Sequence, residues 1–220
     1  LRTPVTVLRS SIDTLYNFGN EFDYDTQKEF IGTINQEIIR LNRMVNDILD
    51  FSRMESNAQM EKTLNNIDEV VQNCVNQVNV LTKEHNVTIS VSKDNDIPEF
   101  LFNYDGIKRA LTNLLSNAIK YSPQNSTIRV NISKKDNNID VSVSDEGCGI
   151  APEYQKKIFD RFFRVENNTH TVKGTGLGLH LVKMTIEKYH NGKVYVNSEI
   201  GKGSTFGFIL PINVNEETLV

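Results

Sequence analysis

Apolar residues at helical spacing dominate the first sixty positions of the chain. Two series of apolar side chains follow the 4, 3, 4, 3 spacing of a single helix face: Leu1, Val5, Leu8, Ile12 and Leu15, then Ile34, Ile38, Leu41, Val45 and Ile48. The polar segment Asn17–Asp25 between them favours a turn, and Asp25 is a candidate N-cap for the second helix. The pattern predicts an antiparallel helical hairpin over residues 1–60.

After residue 60 the pattern changes to mixed strand-like and helix-like segments. Strands are predicted at 88–91, 98–103, 128–133, 139–144, 193–198 and 205–211. Helices are predicted at 67–81, 105–121 and 177–189. Because these elements show no regular βαβ order, the fold class is α+β, and residues 61–220 are expected to form a sandwich of helices on one face of a mostly antiparallel sheet.

The predicted hairpin needs a surface to cover its apolar stripe, because two helices alone bury too little apolar area to be stable. A second copy of the chain would complete a two-fold, four-helix bundle. Packing against the rest of the same chain is the alternative. We expect the dimer.

Composition and charge exclude several classes of function. The 220 residues are 38% hydrophobic and carry a net charge of −4, which argues against non-specific nucleic-acid binding, because such binding needs a basic surface. No apolar run approaches the roughly 18 residues that span a bilayer, so this piece is expected to be soluble. The two cysteines, Cys74 and Cys148, lack the spacing of metal ligands or of a disulfide framework.

The segment NLLSNAIKYSP at 113–123 is the first of four with candidate chemistry. Asn113, Asn117 and Lys120 stand at i, i+4 and i+7 and therefore share one helix face. Amide oxygens can ligate Mg²⁺, and an ammonium group suits phosphate. By itself the same pattern is typical of a solvated helix face.

Two further segments carry candidate chemistry. One combines a carboxylate with glycines, and the other combines phenylalanines with arginines. In DEGCGI, at 145–150, Asp145 ends a predicted strand and can accept a hydrogen bond from an exocyclic amine, or it can form an ordinary Asx turn. In FDRFFRV, at 159–165, Arg161 and Arg164 can reach phosphate from a hinge. The same arginines can instead extend along the apolar face of a helix.

The fourth segment, GTGLGL at 174–179, places glycines before a predicted helix. Free N–H groups and the helix dipole make such an N-terminus attractive to anions. A dinucleotide-binding fold would need a strand before the glycines, whereas the preceding residues 166–173 have the composition of a polar loop.

In this order the four segments resemble the N, G1, F and G2 boxes of the ATP-binding domain of sensor histidine kinases, within the superfamily that includes gyrase, Hsp90 and MutL. The terminal GKGSTFGFILP is similar to the family's last motif, and LRTPVT is similar to the end of its H box, HELRTPLT. The segments SSIDTLYNF and RLNRMVNDILDFSRME are similar to sensor kinases of cyanobacteria and algal plastids. The resemblance implies a dimeric hairpin bundle followed by a Bergerat-type α/β sandwich.

The resemblance also implies a role for each motif residue. The residues implied to bind ATP are Asn113, Asn117, Lys120, Tyr121, Asp145, Gly147, Gly149, Gly174, Thr175, Gly176, Leu177, Gly178 and Thr205. Asn117 would also hold Mg²⁺, and Asp145 would accept from the adenine amine with Thr205 beside it. Arg161 or Arg164 would reach the γ-phosphate or the hairpin. Thr3 would orient the water that dephosphorylates a response regulator.

The acceptor histidine of this family lies two residues before the leucine of LRTP, which here is Leu1. The four histidines of the chain, at 85, 170, 180 and 190, all fall in the ATP-binding domain. We therefore expect a trimmed piece that binds Mg²⁺ and ATP without autophosphorylating; loss of the phosphorylation step in the natural protein is the alternative. A catalytically silent, nucleotide-binding dimeric scaffold is the competing function.

The resemblance finally implies partners and a location. The expected partners are a second copy, through residues 1–60, and the receiver domain of a response regulator, with no nucleic acid. Contact with a membrane is expected only through segments upstream of Leu1. These would hold the domain at the cytoplasmic side of a membrane, or in a plastid stroma.

Overall fold

The computed structural model describes residues 2–55, 60–165 and 175–213 of the chain. The chain divides into two compact units, Leu1–Asn57 and Ala58–Val220. Across the described ranges, no helix is both long enough and apolar enough to cross a membrane.

The first unit is a helical hairpin, as predicted. Helix α1 (Arg2–Phe18) is followed by a 3₁₀ turn (Gly19–Glu21) and helix α2 (Tyr24–Glu55), and α1 packs against α2. The rings of Phe22 and Phe30 stack at 5.6 Å between centroids beside the turn. The turn is therefore fixed by its own aromatic contact.

The N-cap of α2 is Asp23, so the prediction of Asp25 is wrong. The carboxylate of Asp23 accepts a hydrogen bond from the Thr26 amide at 2.7 Å. Asp25 lies inside the first turn of the helix, where a carboxylate still favours the positive end of the helix dipole. The error arises because the helix begins earlier than the hydrophobic pattern indicates.

The apolar series of the hairpin remain partly exposed. The side chains of Val5, Ile12, Ile38, Val45 and Ile48 keep between 43% and 51% of their surface accessible to solvent. In this hairpin, α1 and α2 together thus leave much of their shared apolar stripe uncovered.

The second unit mixes helices and strands, which confirms the α+β fold class. Its elements are β1 (Thr63–Asn65), α3 (Ile67–His85), β2 (Thr88–Lys93), β3 (Phe100–Phe102), α4 (Tyr104–Tyr121), β4 (Thr127–Lys135), β5 (Asn138–Asp145), α5 (Pro152–Gln155), α6 (Gly178–Lys183), β6 (Lys193–Glu199) and β7 (Gly203–Pro211). The helix predicted at 177–189 consists of α6 and a π-helical turn, Met184–Lys188. The sequence pattern did not predict β1.

Within the described part of the chain, the main sheet has five strands in the order β2-β4-β5-β7-β6. The β2–β4 pair is parallel, and the other neighbours are antiparallel. Strand β1 pairs with β3 in a separate antiparallel ribbon. The sheet is therefore mostly antiparallel, as expected.

The core of this unit lies between the sheet and the helices. Buried and accessible positions alternate along β5, so that Ile139, Val141 and Val143 face inward. Helix α4 packs against α3, α6 and β5 and buries Leu114 and Leu115. The positions of Asn113, Asn117 and Lys120 on α4 are only partly buried, so packing of the core also fixes the height and rotation of these polar side chains.

His190 connects the π-helical turn to the start of α4. Its Nε2 accepts a hydrogen bond from the Asn103 amide at 3.0 Å, and its Nδ1 lies 2.6 Å from the Thr185 carbonyl oxygen. Asn103 is itself the N-cap of α4, because its side-chain oxygen accepts from the Gly106 amide at 2.7 Å. His190 keeps 4% of its surface exposed, so this connection is buried.

Candidate functional site

A buried carboxyl group ends strand β5. Asp145 continues the inward-facing series of β5 and keeps 9% of its surface exposed. One of its oxygens, Oδ1, accepts hydrogen bonds from the amides of Gly147 at 2.8 Å and Ser204 at 3.2 Å. Because both amides donate to Oδ1, the carboxyl group is oriented by backbone on two sides.

Burial raises the pKa of Asp145 above its ordinary value, and the two amide hydrogen bonds oppose that shift only in part. A buried carboxylate is poorly solvated by water, so a hydrogen-bond donor that enters the site stabilises its charge strongly. An exocyclic amine is a donor of this kind.

Glycines beside Asp145 let separate segments approach closely. A Cβ at Gly147 would stand 2.6 Å from the Tyr121 carbonyl oxygen at the end of α4. Gly149 has a φ of +71°, and a Cβ there would collide with the Glu199 carbonyl oxygen. The G1 segment, 145–150, thus fits between the end of α4 and the β6–β7 hairpin only with glycine at both positions.

The predicted polar face of α4 lies beside the start of α6. A Cβ at Gly178, the first residue of α6, would lie 3.1 Å from the side-chain oxygen of Asn113. Lys120 places its ammonium group 5.4 Å from the centre of the Tyr121 ring. The structure therefore brings the N-box face together with the G2 glycines.

Tyr121 marks a second place where predicted segments meet. Burial has the largest effect on the pKa of the Tyr121 phenol and raises it. The Arg164 guanidinium lowers this pKa, whereas Cys148 raises it. Both groups are therefore close enough to Tyr121 for electrostatic interaction. The end of α4 and the G1 segment meet at this point, and Arg164 of the F-box segment 159–165 lies within electrostatic range of it.

The G2 segment is described from Thr175 onward, and Gly174 lies outside the described residues. The Thr175 hydroxyl accepts a hydrogen bond from the Leu177 amide at 3.2 Å. Gly176 has a φ of +72°, and Leu177 is buried. The backbone thus turns sharply just before α6 begins.

Residues 159–162 of the F-box segment form turns and bends, and residues 163–165 are irregular, so the alternative of an apolar-faced helix is wrong. The Phe162 amide donates to the Gly176 carbonyl oxygen at 3.1 Å, which attaches the segment to the G2 turn. The Nε of Arg161 donates to Nε2 of His180 at 3.2 Å. His180 was not among the predicted site residues.

The prediction that Thr205 lies beside Asp145 is wrong. Strand pairing sets Ser204 opposite Asp145 and Thr205 opposite Ser144, and the hydroxyl groups of Ser144 and Thr205 are 2.8 Å apart. Because side chains alternate between the two faces of a sheet, Thr205 points away from the face that carries Asp145. Ser204 is the residue that the prediction missed.

Thr3 lies in the first unit, exposed in the first turn of α1.

Comparison with known proteins identifies both units. Residues 102–214 match the model of the histidine kinase-, DNA gyrase B- and HSP90-like ATPase family. Residues 1–57 match the His Kinase A (phospho-acceptor) domain.

Individual relatives agree with these family matches. Drug sensory protein A of Synechocystis sp. is 37% identical over 96% of the chain and 33% of its own length. The uncharacterized sensor-like histidine kinase ycf26 of Pyropia yezoensis is 34% identical over 96% of the chain and 34% of its own length. The chain thus spans about a third of these curated relatives.

A solved structure of similar fold is the histidine kinase ThkA in complex with the response regulator protein TrrA. It superimposes with a TM-score of 0.77 and 26% identity over 96% of this chain and 58% of that chain. Together with the two family matches, which include the four ordered motifs, this establishes the family. The chain belongs to the sensor histidine kinases and joins a His Kinase A hairpin to an ATPase domain of the histidine kinase, gyrase B and HSP90 type.

Proposed function

We propose that this chain is the core of an ATP-dependent protein-histidine kinase, which phosphorylates a histidine and passes the phosphate to an aspartate of a response regulator. The observation that carries the proposal is the buried Asp145 carboxyl group, which is oriented by the Gly147 and Ser204 amides. The G1 segment that it begins packs against the end of α4 at Tyr121. A carboxylate in this setting suits the exocyclic amine of adenine.

In the proposed complex, Asp145 accepts a hydrogen bond from the adenine amine and Tyr121 flanks the base. Gly147 and Gly149 form the wall of the adenine site without side chains. Thr205 is not included, because it lies on the other face of the sheet. A site built to pair a polar substrate group can reject analogues by roughly 10⁴-fold, so adenine is strongly preferred over guanine.

The triphosphate lies between α4 and the start of α6. Lys120 approaches the phosphates, and Gly174, Thr175, Gly176, Leu177 and Gly178 provide the backbone that closes over them. Arg161 and Arg164 are the candidate contacts of the γ-phosphate. These side chains hold the triphosphate and offset its charge, which is most of what a protein contributes to phosphoryl transfer.

The donor groups of α4 fit a magnesium ion. Asn117 and Asn113 offer neutral amide oxygens one helix turn apart. Gly178 leaves open space beside Asn113, because a Cβ at Gly178 would lie 3.1 Å from the Asn113 side-chain oxygen. Magnesium accepts oxygen ligands together with substrate phosphates and water. When bound, the ion neutralises charge on the phosphate oxygens, and Asn117 is the residue proposed to hold it.

The hairpin is proposed to act in phosphotransfer and in dephosphorylation. The acceptor is the histidine that the family places two residues before the leucine of LRTP. Thr3, four residues after that position, orients water for hydrolysis of the regulator phosphate. The complex of ThkA with a response regulator supports a receiver domain as the partner of this chain.

A second copy of the chain is the proposed occupant of the exposed stripe of the hairpin. The apolar residues that keep 43–51% of their surface exposed share the predicted face, and two hairpins would bury them in a four-helix bundle. The natural protein is proposed to sit at the cytoplasmic side of a membrane, or at the stromal side in a plastid.

Two measurements test the proposal in sequence. Titration calorimetry of the 220-residue chain with Mg²⁺ should show binding of ATP and much weaker binding of GTP, and Asp145→Asn should remove the preference. Equal binding of ATP and GTP by the unmutated chain would refute the Asp145 role.

The natural sequence, extended in front of Leu1, should then take label from γ-labelled ATP in a linkage stable to alkali and labile to acid. Replacing the upstream histidine should abolish the label. ATP binding without any label would instead support a nucleotide-binding scaffold.

A further inference from the structure

His180 connects the F-box segment to the helix that follows the G2 glycines. It lies in the first turn of α6, two residues after Gly178, and keeps 9% of its surface exposed. Its Nδ1 is 3.0 Å from the Phe159 carbonyl oxygen, and its Nε2 is 3.2 Å from Nε of Arg161. Both ring nitrogens therefore contact the same turn.

The chemistry of the two partners fixes the tautomer of the ring. A guanidinium group only donates hydrogen bonds, so Nε2 of His180 must accept from Arg161. The proton of the neutral ring then lies on Nδ1, which donates to the Phe159 carbonyl oxygen. The arrangement satisfies both nitrogens, which is what burial of an imidazole requires.

The same turn is attached to the G2 segment at a second point. The Phe162 amide donates to the Gly176 carbonyl oxygen at 3.1 Å, and a Cβ at Gly176 would come within 2.8–3.0 Å of the Phe162 backbone. Phe162 has a φ of +60°, a conformation that a phenylalanine adopts only when its surroundings hold it. The backbone on either side of Arg161 is therefore fixed against the start of α6.

These contacts restrict a side chain that otherwise has many conformations. The Arg161 side chain is exposed, and an exposed arginine samples several rotamers unless its head group is held. The hydrogen bond at Nε holds one edge of the planar guanidinium and so orients its other donors. Preorganisation of this kind lowers the entropic cost of binding a phosphate group.

We propose that His180 is a positioning residue that holds Arg161 for the γ-phosphate of ATP, through acceptance of the Arg161 Nε–H by Nε2. The inference rests on the proposed function, because it assumes that the chain binds ATP. It adds a residue and a mechanism: α6, which touches the α4 polar face at Gly178, also sets the direction of the F-box arginine.

Two replacements separate the nitrogens of His180. His180→Asn places an amide nitrogen near the former Nδ1, so this variant keeps the donor to the Phe159 carbonyl oxygen but loses the acceptor for Arg161. An amide oxygen near the Nε2 position in His180→Gln retains that acceptor. Arg161→Ala removes the guanidinium itself, and His85→Asn, at the exposed end of α3, is the matched histidine control.

The readout is the affinity of the 220-residue chain for ATP relative to ADP, with Mg²⁺ present. ADP lacks the γ-phosphate, so a residue that acts through Arg161 changes the ratio, whereas a general loss of structure lowers both affinities. We expect His180→Asn to lower the ATP:ADP affinity ratio about tenfold, and His180→Gln to stay within about twofold of the unmutated chain. His85→Asn should leave the ratio unchanged.

A double-mutant comparison completes the test. In the Arg161→Ala background, His180→Asn should change the ratio no further, because the group that it positions is gone. Additive effects of the two changes, equal losses for ATP and ADP, or failure of His180→Gln to restore the ratio would each overturn the role of His180.

The two proposals fail in different ways. If the unmutated chain binds neither ATP nor ADP, the proposed function is wrong and the role of His180 falls with it. If the chain binds ATP and His180→Asn has no effect on the ratio, the proposed function stands and only the positioning role is wrong.

Discussion

Acidification should destabilise the ATPase unit through the buried side chain of His190. Burial, together with the charge of Lys62, lowers the pKa of His190 from 6.5 to about 4, although its bond to the Thr185 carbonyl opposes the shift. The neutral ring is the form that the folded state holds. The unfolded chain therefore binds a proton at a higher pH than the folded chain does, and stability falls as the pH drops from about 6.5 toward 4.

The size of the effect follows from the difference between the two pKa values. A change from 6.5 to about 4 corresponds to a limit of about 3 kcal/mol, at about 1.4 kcal/mol for each pKa unit. Between pH 7 and pH 5 the same relation gives a loss of about 2 kcal/mol. Above pH 7 the His190 contribution is complete, since the ring is neutral in both states.

The assay compares the unmutated chain with His190→Gln, which lacks a titrating ring. Urea unfolding at pH 7 and pH 5, followed by hydrogen exchange in peptides from α4 and β5, reports on this unit apart from the hairpin. Other groups titrate equally in both proteins, so the unmutated chain should lose about 2 kcal/mol more than the variant. His85→Gln, exposed at the end of α3, should behave like the unmutated chain.

A difference below about 0.5 kcal/mol would refute this reasoning. It would mean that burial and the charge of Lys62 do not hold the ring neutral in the folded state. The connection through His190 between the π-helical turn and the start of α4 would then make no pH-dependent contribution to the free energy of unfolding.

Three further changes test the site. Gly149→Ala should lower the free energy of unfolding by more than about 2 kcal/mol in urea, because the new Cβ meets the Glu199 carbonyl at a φ of +71°. The pKa of Asp145 is raised above the 3.8 of an ordinary aspartate, so its carboxylate becomes protonated at a higher pH than usual. Calorimetry should therefore show that ATP affinity falls on acidification already above pH 3.8, and Asp145→Asn should lack this dependence. Thr205→Ala should change ATP affinity less than about twofold, because its hydroxyl contacts Ser144 on the opposite face; a larger loss would contradict the strand register.

The parts of the fold that sequence could predict are those whose signal is local and repeated. The alternation of Ile139, Val141 and Val143 specified β5 and its inward face. The spacing of Leu111, Leu114 and Leu115 likewise specified α4, and the structure extends the predicted helix by a single residue to Tyr104. Each pattern carries several independent side chains, so one ambiguous residue does not change the result.

The errors come from features that one residue decides. A shift of one position along a strand moves a side chain to the other face of the sheet. For this reason the prediction placed Thr205 beside Asp145, where the structure has Ser204. In the same way, the choice between Asp23 and Asp25 as N-cap depends on where α2 begins. Neither the motif nor the hydrophobic pattern contains that information.

The contact of Arg161 with His180 had no signal in the sequence. The two residues are nineteen positions apart, in different elements, and no periodicity relates a turn to a helix. The glycine motif predicted an anion-attracting helix N-terminus after Gly176. It did not predict that the backbone of Phe162 would pack against Gly176.

The site depends on the same packing that stabilises the unit. Helix α4 faces the core through Leu114 and Leu115, and it presents Asn113 and Asn117 on positions that remain accessible. A rotation of α4 that exposed the leucines would move the Asn113 amide away from Gly178, so burial of the apolar face holds the polar face in place. The polar residues of the motifs are therefore held in place by hydrophobic residues of the same segments, such as Leu114, Leu115 and Leu177, which are buried.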